Sequence, residues 1–491
     1  MSTEHLTLHT DKYQINMMYA HWYHGTLNRK AVFEAYFRKL PFGNGYAVFA
    51  GLERIVRYLQ ELHFNEADIA YLASQEEGYD PAFLEELRRF RFTGNLWCVP
   101  EGTVVFPNEP LLRVEATVFE AQLIETALLN FLNFQTLIAT KASRIRQVAP
   151  HDVLMEFGSR RAQEADAAIW GARAAYIAGF DATSNLRAGQ MFGIPTKGTH
   201  AHAWVQVHDS EEQAFERYAS ALPHQVTLLV DTYDTLASGV THAIEVAKAL
   251  EKQGRRMQAI RLDSGDLAYL SKAARRMLDE AGLSYVKIVA SNDLDENIIL
   301  DLKAQGARID SWGIGTQLIT AADNPSLGGV YKLVARERIG GDSRGYEPVI
   351  KISGNPEKVT TPGIKDVYRI INRKTGWAEA DYVALEEETE IGQDGVLELF
   401  DPVHPYLRKR VEDFEAVKLL QPVFRDGRLA RELPGLDEIR EYHRSQLALL
   451  RQEYLRKLHP EIYLVTPSPR TWRLKMDMIR RHLGHTGEWR P

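Results

Sequence analysis

Two histidines separated by one residue, His200 and His202, follow the turn-rich run Gly193-Ile-Pro-Thr-Lys-Gly-Thr199 and precede the apolar Trp204-Val-Gln-Val207. Imidazoles set among turn residues at the edge of a regular element point to a site rather than to core packing. Extended, the segment would place both rings on one face, as in metal-dependent amidohydrolase barrels that bind zinc through a His-x-His pair. That chemistry needs further ligands on successive strands. The chain offers Asp231, Asp263 and Asp293 there, but no histidine.

Three other clusters carry chemistry. Arg261-Leu-Asp263-Ser264-Gly-Asp266 sets a guanidinium two residues before a carboxylate, so a strand would show both on one side. The arginine suits a carboxylate or phosphate, and the aspartate suits ribose hydroxyls, a cationic sugar or water-bound magnesium. Phe157-Gly-Ser-Arg160-Arg161 joins a ring to two cations, which a flat anionic heteroaromatic ligand requires. Gly313-Ile-Gly315-Thr316 lets backbone amides approach a phosphate closely.

These clusters need a scaffold that gathers them. Short apolar runs at 153–157, 175–180, 226–230, 257–262, 285–290 and 309–314 alternate with helical stretches, and each ends in polar residues. The pattern predicts an α/β fold with a parallel sheet, an irregular (β/α) barrel whose site lies at the strand carboxyl ends. Before it, residues 1–125 mix strands and helices into an α+β domain, with Thr10 as a candidate cap for the first helix. Residues 126–345 form the barrel. Residues 346–491 return to the N-terminal domain and end in a helical region, where Ile439, Leu447, Leu450, Tyr454 and Leu458 share one face of a long helix.

Composition narrows the function. A net charge of -7 and a hydrophobic content of 45% describe an ordinary globular chain without an electrostatic footprint for nucleic acid or membrane. The lone Cys98 allows no intrachain disulfide, the first residues show no basic stretch followed by an apolar one, and no apolar run reaches membrane length. A cytoplasmic protein is expected.

Taken in order, Thr10-Asp-Lys-Tyr13, the clusters at 157–161, 198–202, 261–266 and 313–316, and Glu357-Lys-Val-Thr-Thr-Pro-Gly363 resemble the nicotinate phosphoribosyltransferase family. The resemblance implies attack of nicotinate on C1 of phosphoribosyl pyrophosphate, yielding nicotinate mononucleotide and pyrophosphate in NAD biosynthesis. It further implies coupled ATP hydrolysis through a phosphohistidine at His202, magnesium with unknown protein ligands, and a homodimer with shared sites. Asp263 would be catalytic beside the ribose. Tyr13, from the partner subunit, and Phe157 would sandwich the pyridine. Arg261, Thr199 and Arg160 would hold the carboxylate, with Thr183, Ser184 and Ser264 as further substrate contacts. Ser291, Asn292, Gly313, Gly315 and Thr316 would cradle the 5-phosphate. Nicotinamide-using relatives carry an aspartate near Ser184, absent here, and Ala203 stands where the family commonly has serine. A metal-dependent hydrolase and a non-catalytic nucleotide sensor are the competing readings.

Overall fold

The computed structural model describes residues 5–338, 345–392 and 395–483. The chain forms two compact units, named by sequence alone: the outer stretches 1–137 and 326–491 make one, the outer unit, and the stretch between them, 138–325, makes the other, the inner unit.

The inner unit is built on six parallel strands: β1 (Val153–Glu156), β2 (Ala182–Thr183), β3 (Thr227–Leu229), β4 (Ala259–Leu262), β5 (Lys287–Ala290) and β6 (Ser311–Ile314). Their ladders run in the order β2-β1-β6-β5-β4-β3. Among the described residues no ladder joins β2 to β3, so the hydrogen bonding shows an open parallel row rather than the closed barrel the sequence predicts. Period-two alternation sorts the faces. On β4, Ile260 and Leu262 are fully buried on one side, while Arg261 belongs with Ala259 on the other. There Met155, Ala182, Ala259 and Val289 form an apolar cluster from four strands, and Phe157 packs onto it.

One expected strand, 175–180, is the end of a helix, Glu164–Ile177, followed by a turn through Gly179 at φ +107. Helix residues Ala172, Ala174, Ala175 and Ile177 are all buried, which makes a two-sided apolar run that period alone does not separate from a strand. The strand itself is displaced to Ala182–Thr183.

In the outer unit, Lys30–Phe37 lies between Gly329–Glu337 and Leu112–Thr117 in a seven-stranded antiparallel sheet that also takes Gln421–Arg425. The region after 346, expected to end in helices, first forms strands: Lys365–Asn372 and Ala378–Leu385 centre a four-stranded sheet, and Val396–Phe400 pairs with Arg408–Glu412 as a hairpin. The expected long helix is two, Leu436–Ala448 and Gln452–Leu455. Thr10 caps nothing. Its hydroxyl donates to the Leu123 carbonyl at 3.0 Å, and Asp11 occupies the N-cap position of the helix Lys12–Tyr23 without a side-chain cap bond. No described helix is long and apolar enough to cross a membrane.

Candidate active site

The carboxyl ends of β3, β4 and β5 bring together a closed ring of hydrogen bonds. Arg261 donates through Nε to Ser291 Oγ at 2.8 Å and through Nη2 to Asp263 Oδ1 at 2.8 Å, while the Ser291 hydroxyl donates to the same Asp263 oxygen. Nη1 donates to Thr199 Oγ1 at 3.2 Å. A guanidinium has five N–H donors. Among the described residues three are spent here, so each terminal nitrogen keeps one N–H for an oxyanion. The Arg261 Cζ lies 5.9 Å from the Phe157 ring centroid, so cation and aromatic face the same space.

Asp263 is fixed from the neighbouring strand end. Its main-chain N–H and the Ser264 hydroxyl both donate to Asp231 Oδ2 at 2.7 Å. Asp231 is buried, and its Oδ1 has no hydrogen-bond partner among the described residues. An unsatisfied buried carboxylate oxygen is costly unless a cation or donor joins it.

The two histidines separate sharply in role. His202 opens the short helix His202–Gln206, with Nδ1 at 3.1 Å from the Thr232 hydroxyl and Nε2 at 4.0 Å from Asp263 Oδ2. His200 is buried, and its Nε2 accepts the Leu229 main-chain N–H at 3.1 Å. The proton therefore sits on Nδ1, which donates to the Ala201 carbonyl at 3.3 Å. Burial pushes the ring below the usual histidine range, the Ala201 bond opposing it in part. His200 thus spends its lone pair on β3 and makes no chelating pair with His202.

On the opposite side of the sheet's carboxyl edge, β1 and β6 set the aromatic ring. The Phe157 N–H donates to the Ile314 carbonyl at 2.8 Å. A Cβ at Gly313 would stand 2.6 Å from the Phe157 ring, and one at Gly315 3.0 Å from the Phe157 carbonyl. Both glycines are required by close approach. Asn292, directly after Ser291, has φ 99, a strained conformation that clusters at ligand clamps. Thr316 begins the one-turn helix Thr316–Ile319.

Glu156 was not singled out by sequence. It is fully buried, with Oε2 accepting the Thr183 hydroxyl at 2.6 Å and Oε1 accepting the Gly158 N–H. Burial raises its carboxyl above the usual range, the two donors opposing this in part. Thr183, expected to touch substrate, is itself buried and committed to Glu156. Ser184 and Arg160 are exposed on the same unit. Tyr13 lies on the outer unit's first helix and is 49% exposed. Thr232 is the other group that sequence does not single out; it sits in Asp231-Thr-Tyr-Asp234, whose first acid is already a candidate through its position after an apolar run, the signal that marks Asp263 and Ser291.

Residues 8–133 match the family described as nicotinate phosphoribosyltransferase (NAPRTase) N-terminal domain, and residues 364–475 match the C-terminal domain of the same enzyme. The chain is 54% identical to nicotinate phosphoribosyltransferase of Bacillus subtilis, over 96% of this chain and 95% of that protein. Identity to the enzyme of that name from Caenorhabditis elegans is 37%, over 94% of this chain and 91% of that one. The crystal structure of human nicotinic acid phosphoribosyltransferase superposes with a TM-score of 0.84 at 32% identity, covering 96% of this chain and 99% of that one. A nicotinate-nucleotide pyrophosphorylase from Pyrococcus furiosus, at TM-score 0.68 and 24% identity, shares the fold.

Proposed function

The chain belongs to the nicotinate phosphoribosyltransferase family, an enzyme of NAD biosynthesis, and from that premise we propose that its Arg261 cluster binds nicotinate while His202 couples the transfer to ATP. The observation that carries the first part is the guanidinium itself. Braced by Ser291, Asp263 and Thr199 and facing the Phe157 ring, it keeps one N–H on each terminal nitrogen, the fork that meets a carboxylate through two parallel bonds.

With the ring on Phe157 and the carboxylate on Arg261, the pyridine nitrogen lone pair attacks C1 of phosphoribosyl pyrophosphate. The N–C1 bond forms, the bond from C1 to the pyrophosphate oxygen breaks, and the electron pair leaves with pyrophosphate. Asp263, whose Oδ2 is free of the Arg261 bond, offers negative charge to the oxocarbenium-like sugar. Ser291, the strained Asn292, Gly313, Gly315 and Thr316 supply the small side chains, amides and hydroxyls that a 5-phosphate takes. Glu156 and Thr183 hold the Phe157-Gly158 turn from behind.

A neutral imidazole accepts a phosphoryl group, and His202, oriented by Thr232 and facing Asp263, is a half-buried imidazole beside the Arg261 ring of hydrogen bonds. In the coupled cycle an imidazole nitrogen takes the γ-phosphoryl of ATP with release of ADP, and water later returns the ring by releasing phosphate. Ala203 brings no hydroxyl to that phosphate.

Magnesium fits this site. The partnerless, buried Asp231 Oδ1 and the outward Asp263 Oδ2 are hard oxygen donors. Among the described residues no cluster of three metal-ligating side chains occurs, and magnesium characteristically uses one or two carboxylates, substrate phosphates and water. Bound there, it would neutralise charge on departing pyrophosphate. The half-exposed Tyr13 suits a homodimer in which a second copy of the chain completes the pyridine sandwich, and the single buried Cys98 suits the cytoplasm.

The test is pyrophosphate release with nicotinate and nicotinamide side by side, with and without ATP. Nicotinate dependence, ATP stimulation, and an acid-labile phosphate on His202 are expected. Preference for the amide would overturn the carboxylate reading, since the exposed Ser184 offers no acid for it.

A further inference from the structure

The helix Pro469–Leu483 and the hairpin Val396–Phe400/Arg408–Glu412 line a cavity of about 350 Å³ in the outer unit. Helical spacing explains one wall: Trp472, Met476 and Arg480 recur at four-residue intervals and share a face, which Arg473 widens from the position next to Trp472. The cavity has an apolar floor. Leu399 is fully buried, and the rings of Phe400 and Trp472 meet edge to face at 5.7 Å.

The rim is cationic. Arg408, Arg473 and Arg480 line the opening against one carboxylate, Glu398. Glu398 offsets little, because it lies 3.9 Å from Arg408 with both side chains about 70% exposed, a contact that solvent screens. Arg480 pairs with Asp477 at 2.8 Å along its own helix. Arg473 is exposed and has no ion-pair partner among the described residues. Three guanidinia around one apolar hollow run against a chain whose net charge is -7.

We propose that this cavity is a binding site for a nucleoside monophosphate, with the base against Trp472 and Phe400 and the phosphate held by Arg473 and Arg408. Charge complementarity selects an anion, the aromatic floor selects a flat apolar body, and guanidinium forks suit phosphate. The size decides between nucleotides. At the low end of small-ligand cavities, roughly 300–1,000 Å³, it admits one nucleotide unit rather than a dinucleotide. None of its residues belongs to the Arg261 cluster, so occupancy and turnover are separable by mutation.

Equilibrium dialysis of the full chain against AMP, adenosine and inorganic pyrophosphate tests this, with sites counted per chain. AMP should saturate, and Arg473→Glu should remove one site per chain or weaken it by roughly tenfold or more, with nicotinate-dependent pyrophosphate release unchanged. AMP bound at the Arg261 cluster would add a site that this variant leaves in place. Adenosine and pyrophosphate should each bind that cavity at least about tenfold more weakly than AMP, since each lacks half of the recognised groups. Identical AMP binding by native protein and Arg473→Glu would overturn the proposal. So would pyrophosphate that equals AMP and is displaced by the same variant, because that is anion binding without base recognition.

Discussion

The Asp263 main-chain amide donates to Asp231 Oδ2 at 2.7 Å, so the carboxylate beside His202 is positioned by an acid from the next strand end. Asp231→Ala is expected to lower kcat by roughly 10²-fold, the loss that follows from misplacing a reacting group by about an ångström, and to leave the KM for nicotinate nearly unchanged. Asp231→Asn keeps an acceptor oxygen and should retain more activity. Equal kcat values for the two variants would show that charge, not positioning, is what Asp231 supplies.

Thr232 orients His202 without touching Arg261. Thr232→Val removes the hydroxyl 3.1 Å from Nδ1 and should reduce ATP stimulation several-fold, in keeping with one hydrogen bond of about 1 kcal/mol. His202→Ala should abolish the stimulation and leave a slower basal rate. Turnover with and without ATP in both variants is the measurement, and full stimulation in His202→Ala sinks the phosphohistidine role.

Gly313 gives the Phe157 ring its room. The added methyl of Gly313→Ala would sit 2.6 Å from the Phe157 ring, forcing that ring to move. Overpacking of this kind costs about 1–3 kcal/mol, here expected as a roughly tenfold or greater rise in the KM for nicotinate. Steady-state kinetics with unaltered KM would show that Phe157 is not the platform.

Glu156 meets two donors with two oxygens. In Glu156→Gln one of those donors, the Thr183 hydroxyl or the Gly158 amide, faces an NH₂ group instead, and the protein should lose about 1–3 kcal/mol. Thr183→Val removes the hydroxyl donor, so the double variant should be less destabilised than the sum of the singles. Denaturant unfolding of all four proteins measures the coupling; strict additivity refutes it.

His443 predicts a pH dependence in the outer unit. The ring is buried, and burial pushes it down to about 4, against a partly compensating bond from Nδ1 to the Gly102 carbonyl at 2.9 Å. Because the folded value lies below the unfolded one, near 6.5, the unfolded chain binds the extra proton first. Stability from this group is complete above about pH 6.5 and falls as the pH drops toward 4, by on the order of 3 kcal/mol. His443→Gln should flatten that slope in unfolding midpoints taken between pH 7 and pH 4.5.

That Arg261, Asp263 and Phe157 lie together follows from strand alternation and strand ends, which are written in residue type: a polar residue at the close of an apolar run has one place to go. Thr183 shows the limit of that logic. It stands at a strand end too, yet its hydroxyl is consumed by Glu156, and the buried carboxylate that consumes it lies inside an apolar run where sequence reads only a core position. His200 misleads through spacing. An x-separated pair shares a face only if extended, and here His202 starts a helix while His200 turns back to cap β3 through Leu229. Within the stretch 365–429 the run Val367–Ile371 is strand-like in sequence and lies in the strand Lys365–Asn372, whereas the hairpin Val396–Phe400/Arg408–Glu412 escaped because its short, charged strands carry little period-two contrast.

Lys30–Phe37 pairs on one edge with Leu112–Thr117 and on the other with Gly329–Glu337, a partner roughly three hundred residues downstream. During synthesis the inner unit's strands all emerge before that partner does, so the parallel sheet is available to assemble while the first strand still shows an open edge. Unpaired edges are templates for association with other chains. The pace of translation across residues 138–325 would then set how long each nascent chain keeps that edge open.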